Sequence, residues 1–188
     1  MPLFLGDSGL LNSSDRLNQM IYEELLYDIT RLQNKLYQNI LLLNKDQRTI
    51  YDTVLSSIDN TCDCFFVDEP DGTDKTFLYN TLLATIRSCG EIALAVISSS
   101  ISALLIDRGR TAHSRFRIPL KLNKFLTCNI SRESREAKLV NAAKLFIWDE
   151  ASMMHKFAFK AIDRTLRDIT CIDKPFRGKV FVFSDDFR

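Results

Sequence analysis

Two short stretches hold residue types that can do phosphate chemistry: Phe65 Phe66 Val67 Asp68 Glu69 Pro70 Asp71 Gly72 Thr73 Asp74 Lys75 Thr76, and Leu145 Phe146 Ile147 Trp148 Asp149 Glu150. In each, an apolar run leads straight into polar residues. The first closes on Gly72-Thr73-Asp74-Lys75-Thr76, the tail of a phosphate-binding loop, in which the lysine meets the β and γ phosphates and the threonine hydroxyl holds Mg²⁺. The second closes on paired acids at a strand tip, where the first acid holds the metal and its neighbour polarises an attacking water. Together they describe a site for ATP and Mg²⁺. Gly72, Thr73, Lys75 and Thr76 lie on the nucleotide, Thr76 and Asp149 on the metal, and Lys75 and Glu150 take the catalytic roles.

The loop departs from its own requirements. A complete phosphate loop reads Gly-x-x-x-x-Gly-Lys-Thr, because its backbone N–H groups must curl around the anion and a Cβ or a carboxylate obstructs them. Here the two glycine positions are Glu69 and Asp74, and Asp71 adds a third acid to a segment that should face a polyanion. At roughly 5 Å and an effective dielectric of about 20, one carboxylate against one phosphate charge costs on the order of 3 kcal/mol. That is roughly a hundredfold in affinity. Lys75 offsets one such term, so the ancestry of the loop and its competence are separate questions.

At 188 residues the chain suits one domain with a sizeable core, and 46% hydrophobic with 26% charged residues is an ordinary globular composition. The net charge of +1 supplies no global attraction to nucleic acid or to acidic membranes, so a DNA-binding surface must be local. Met1 to Asp7 lacks a basic n-region and a long apolar core, so no secretory signal is expected, and no uncharged apolar run reaches membrane-spanning length. Cys62, Cys64, Cys89, Cys128 and Cys171 are odd in number and irregular in spacing, which fits reduced thiols in an intracellular protein. Zinc at Cys62 and Cys64 is the alternative, with only His113 and His155 as histidine ligands and no second cysteine pair.

The elements that must position these residues follow from periodicity. Leu17, Met20, Ile21, Leu25, Ile29, Leu32 and Leu36 recur at helical steps and predict one amphipathic helix, which packs on its own domain or on a partner. A second helix over Asp46 to Ser57 follows, with Asn44 as N-cap and Gln47 near its start. Then Phe65 to Val67, Ile92 to Ile97, Leu145 to Trp148 and Val180 to Phe183 read as buried parallel strands. Between them fall helical segments over Lys75 to Arg87, Ser100 to Ile106, Arg132 to Leu139 and Met154 to Asp168. Strands alternating with helices give an α/β fold with a mainly parallel central sheet, whose ligand sites lie beyond the carboxyl ends of the strands.

From Asp107 to Lys124 the pattern is that of a loop, and it carries the densest positive charge: Arg108, Arg110, Arg115, Arg117, Lys121 and Lys124. His113 and Phe116 lie among these cations. Phosphate attraction plus stacking of a ring on an unpaired base is a way to grip a single strand. A solvated basic loop explains the same charges.

Gln47, the phosphate loop, the run Thr111 Ala112 His113 Ser114 Arg115 Phe116 and the run Asp149 Glu150 Ala151 Ser152 Met153 occur in that order, and with them the chain resembles the Pif family of superfamily 1 DNA helicases, above all its Helitron-transposon versions. The resemblance runs from about Asp15 to the end. It implies a RecA-like P-loop NTPase domain preceded by an N-terminal helix, with residues 1–40 a helical segment and residues 41–188 a partial motor domain. It implies ATP-driven 5′-to-3′ unwinding, single-stranded DNA as partner, no membrane, a nuclear location, and work in DNA repair, recombination and telomere maintenance. Gln47 then matches the glutamine that reads adenine. Ser98 and Ser99 fall where the family approaches the DNA backbone, and Thr111, His113, Arg115 and Phe116 match its next DNA-contacting element.

The family pattern Gly-Gly-Asp-Phe-Arg-Gln reads here Ser184 Asp185 Asp186 Phe187 Arg188 and stops before the glutamine of γ-phosphate sensing; a second motor domain with its arginine finger is missing. Unwinding needs two domains that close and open on ATP. Three functions therefore compete: a helicase motor domain, a catalytically impaired fragment that binds single-stranded DNA or a protein, and a small phosphotransferase kinase. The spacing of the acids from Lys75 and the intervening DNA-type element disfavour the last.

Overall fold

Short apolar runs buried on both faces build the centre of the molecule. A computed structural model describes residues 13–58, 63–68, 74–99, 106–171 and 174–185. Its strands are β1 (Cys64–Asp68), β2 (Ile92–Ile97), β3 (Arg110–Thr111), β4 (Ala143–Asp149) and β5 (Val180–Asp185), all parallel, in the order β1-β5-β4-β2-β3. Successive residues of a strand point to opposite faces. Ala93, Ala95, Ile97, Leu145, Ile147, Val180 and Val182 therefore line one aliphatic core, and Phe146, Trp148 and Phe181 line the other. On the aromatic face Phe146 stacks on Phe181 at 4.5 Å, and Phe116 stacks on Trp148 at 5.8 Å. Each such buried ring contributes about 1.5–3 kcal/mol.

Helices cover both faces. The order is α1 (Ser13–Leu25), α2 (Ile29–Leu42), α3 (Lys45–Ile58), α4 (Lys75–Ser88), α5 (Ala112–Phe116), α6 (Arg135–Ala142) and α7 (Lys156–Thr170). α4 sends Leu78, Leu82 and Ile86, one turn apart, into the aliphatic core together with Tyr79 and Leu83. α7 sends Ala158, Ala161, Ile162 and Leu166 into the aromatic one.

Three sequence expectations change. The single N-terminal helix is two, because the Asp28 side chain accepts from the Arg31 N–H at 3.0 Å and starts a new helix after a break at residues 26–28. Both helices pack on the sheet domain, Met20 and Ile21 against the aromatic core and Ile40 against the aliphatic one. β3 and α5 lie inside the segment expected to be a loop. The helix expected from Arg132 begins instead at Arg135, where Ser134 caps it by accepting from Ala137 N–H at 3.1 Å. The helix expected over Ser100 to Ile106 lies, but for Ile106, outside the described residues, as do Glu69 to Thr73.

Candidate nucleotide site

Register brings the polar strand tips together. Asp68 at the end of β1 pairs with Asp185 at the end of β5, and Ile97 at the end of β2 pairs with Asp149 at the end of β4. Lys75 opens α4 across from these tips, and its Nζ donates to the Asp185 carbonyl oxygen at 3.4 Å. One residue back on β5, the Ser184 hydroxyl donates to Asp149 Oδ1 at 2.6 Å. The same oxygen accepts from the Glu150 N–H at 3.0 Å, which fixes the carboxylate at the start of the turn Ala151–Met153. The lysine and both acids thus converge on the carboxyl edge of three neighbouring strands.

Two residues there have left-handed backbone: Asp74 at φ 53° and Glu150 at φ 54°. Such conformations cost roughly 1–2 kcal/mol for residues with a Cβ, less for Asp, and a phosphate loop places glycine at the first. Asp74 is exposed and makes no side-chain cap, while its carbonyl oxygen accepts from Phe77 N–H at 2.8 Å and begins α4. Its acid therefore faces solvent. Thr76 is half-buried in the first turn of α4. The N-terminus of this helix carries about half a positive charge. Lysine, threonine hydroxyl, aspartate and glutamate are the hard, charged groups that suit Mg²⁺ and a triphosphate, so the donor set fits.

Gln47 is 3% exposed, and its side chain turns back on its own helix: Gln47 Oε1 accepts from Asn44 N–H at 3.2 Å and Asn44 Oδ1 from Gln47 N–H at 2.8 Å. This reciprocal capping box commits the amide oxygen to the start of α3. Ser98 is tied into the sheet, its Oγ accepting from Trp148 Nε1 at 3.1 Å and its N–H donating to the Asp149 carbonyl at 3.2 Å. Ser99 beside it is half-buried. Gly72 and Thr73 lie outside the described residues.

The expected strand-gripping group divides. Thr111 caps α5, its hydroxyl oxygen accepting from Ser114 N–H at 3.3 Å, and His113 faces solvent. Arg115 and Phe116, expected on DNA, face the interior instead. Phe116 is 1% exposed between Phe146 and Trp148, because an amphipathic turn directs it into the core. Arg115 is 3% exposed and pairs with Glu24 of α1 at 3.0 Å; burial pulls its pKa below the usual guanidinium value, against the pull of Glu24. Neither side chain can meet a strand lying on the surface.

Sequence reading missed three things here. Ser184 and Asp185 were seen only as departures from glycine, yet they join Lys75 to Asp149. Phe125, 77% exposed with Lys124 Nζ 4.8 Å from its ring centroid, is the aromatic that the basic segment presents to solvent. Its place next to Lys124 was the available signal.

A parallel sheet with a lysine-bearing helix start across from the acids at the carboxyl ends of its strands is the arrangement of a RecA-like P-loop domain. Residues 42–188 match the model of the PIF1-like helicase family, and the chain belongs to that family. It is 29% identical over 133 residues to the ATP-dependent DNA helicase Pif1 of Campylobacter jejuni, covering 67% of this chain and 28% of that protein. Its fold is similar to Bacteroides Pif1 bound to single-stranded DNA, with TM-score 0.63, 27% identity, and 77% of this chain and 32% of that one covered. It is likewise similar to Bacteroides Pif1 in complex with ADP-AlF3 and single-stranded DNA, with TM-score 0.64, 26% identity and the same 77% and 32% coverage. The chain thus spans less than a third of the length of each of these relatives.

Proposed function

We propose that this chain supplies the first motor domain of an ATP-dependent DNA helicase, holding Mg²⁺-ATP at the carboxyl ends of β1, β5 and β4 and working 5′-to-3′ along single-stranded DNA with a second motor domain. The observation that carries the reading is the linkage of Lys75 through Asp185 and Ser184 to Asp149, which gathers the cation and the acids at one edge. Lys75 and the N-terminus of α4 bind the phosphates; Thr76 and Asp149 hold Mg²⁺, which neutralises charge on the phosphate oxygens. Glu150, set by its left-handed backbone, orients the attacking water and takes its proton. Gln47, at the position of the family's adenine-reading glutamine, takes the adenine. Ser98, Ser99, Thr111 and His113 approach the strand, and Arg110, Lys121, Lys124 and Phe125 are further exposed cations and a ring of the basic stretch.

A second reading has its own observation. Asp185 is a buried acid at the Lys75 end of the site where the family has glycine, and Asp74 strains a position that glycine would fill. These favour a domain that binds single-stranded DNA but turns over little ATP. Calorimetry with Mg²⁺-ATP, followed by ATPase rates with and without single-stranded DNA, separates the two. DNA-stimulated turnover that Lys75→Ala abolishes supports the motor. Nucleotide binding that returns only after Glu69→Gly, Asp71→Gly and Asp74→Gly supports the impaired module, and no nucleotide binding even then removes the motor.

A further inference from the structure

α1 and most of α2 precede the residues that the family model matches. Their junction nevertheless reaches two parts of the motor domain at once. On one side, Glu24 forms the ion pair with Arg115 of α5, both side chains all but excluded from water. The Arg108 guanidinium donates to the main-chain carbonyls of Glu23 and of Leu26, the latter at 2.7 Å. On the other side, Arg87 in the last turn of α4 donates to the Asp107 carbonyl at 3.2 Å, to its carboxylate at 3.1 Å and to the Ala93 carbonyl at 3.1 Å.

Tyr27 stands between the two cations. The Arg108 guanidinium carbon lies 3.9 Å from its ring centroid and that of Arg87 4.9 Å. The ring is thus held between a residue of the phosphate-loop helix and a residue of the basic segment. Burial pushes its phenol up to about 12, although Arg87 and Arg108 pull the other way, so the ring stays neutral while it meets both cations. Along its length α2 lies on α4, where Asn39 donates to Thr81 Oγ1 at 3.4 Å. Arg108 itself has left-handed backbone at φ 54°, and its guanidinium reaches the α1–α2 corner at Glu23 and Leu26.

We propose that the α1–α2 corner is a positioning element, in which Glu24 and Tyr27 fix the strand-facing segment 106–117 to the phosphate-loop helix α4. This rests on the reading that the segment carrying Thr111 and His113 faces DNA. Glu24 and Tyr27 touch no strand; they act through Arg115, Arg108 and Arg87. A buried arginine without its carboxylate is left as an uncompensated charge, so the segment must open to hydrate it, whereas loss of both charges together is tolerated.

The test uses the full 188-residue chain. Backbone hydrogen exchange is followed in 106–117 and in β4, and a fluorescent oligothymidylate is titrated by anisotropy, for Tyr27→Leu, Glu24→Gln and the double variant Glu24→Leu with Arg115→Met. Expected for both single variants are exchange in 106–117 faster by on the order of tenfold with β4 unchanged, and oligonucleotide affinity weaker by about tenfold. The double variant should restore protection. Unchanged exchange in both single variants overturns the proposal, as does faster exchange with wild-type affinity. A wild-type chain that binds no oligonucleotide brings down the DNA reading instead, and the exchange result then decides the brace by itself.

Discussion

Ser184 on β5 donates its hydroxyl to Asp149 Oδ1 on the neighbouring β4 at 2.6 Å, so the strand that follows the acid pair Asp149-Glu150 in sequence also steers it in space. A hydrogen bond to a charged group contributes about 1.5–3 kcal/mol. Ser184→Ala should therefore loosen the carboxylate and weaken the Mg²⁺-dependent part of ATP affinity by roughly tenfold or more. Titrations in Mg²⁺ and in EDTA measure that part directly. An affinity ratio equal to wild type would remove Asp149 from the metal.

Asp74 carries two separable burdens: a left-handed backbone and a negative charge directly before Lys75. Asp74→Gly should raise stability by about 1 kcal/mol and nucleotide affinity by on the order of tenfold, less than the unscreened figure because the carboxylate is exposed. Asp74→Asn removes the charge and keeps a side chain that tolerates the conformation. It should raise affinity with little change in melting temperature. If both variants leave affinity at the wild-type value, the acid is no obstacle to phosphate.

Phe116 and Phe125 should respond oppositely. Phe116→Ala opens a hole between Phe146 and Trp148 and should cost about 3–5 kcal/mol in chemical denaturation. Phe125→Ala touches no core and should leave stability alone while weakening oligonucleotide binding by about 1–3 kcal/mol. Anisotropy titrations across a salt series check it. Wild-type affinity in Phe125→Ala would dismiss that ring as a stacking platform.

The centre of the sheet was legible because β2 and β4 are buried on both faces, so Ile92 to Ile97 and Leu145 to Trp148 stand out as unbroken apolar runs. Lys75, Thr76, Asp149 and Glu150 were legible for a different reason: each follows such a run, and strand ends are where open parallel sheets bind ligands. What failed was direction on short elements. Arg115 and Phe116 sit on a five-residue helix, too short for its period to tell the core face from the wet one. Asp28 broke a helix whose apolar period continues through it, since a single side-chain cap outweighs the pattern. Ser184 and Glu24 could not be read at all, because their partners Asp149 and Arg115 are distant in sequence.

Cys128 offers a report on the loop that presents Lys121, Lys124 and Phe125. The loop is closed at its base where Asn129 N–H donates to the Arg117 carbonyl at 3.1 Å, and Cys128 N–H donates to Thr165 Oγ1 at 2.8 Å. Burial pushes the thiol up to about 11 from its ordinary 9.0, with the Thr165 hydroxyl pulling weakly back. Below about pH 9 both folded and unfolded chains keep the proton, so the buried neutral thiol contributes its full stability. Between pH 9 and about 11 only the unfolded chain loses it, and that stability drains away as pH rises. Wild type should therefore lose stability more steeply than Cys128→Val over that window in urea denaturation, and parallel slopes would refute the shift. At pH 8 the exposed Cys89 and Cys171 should alkylate readily while Cys128 reacts only when the loop opens. An oligonucleotide that engages Lys121, Lys124 and Phe125 should slow that reaction further, since binding selects the closed loop. Equal alkylation of Cys128 with and without the oligonucleotide, at concentrations that saturate anisotropy, would place the strand elsewhere on the domain.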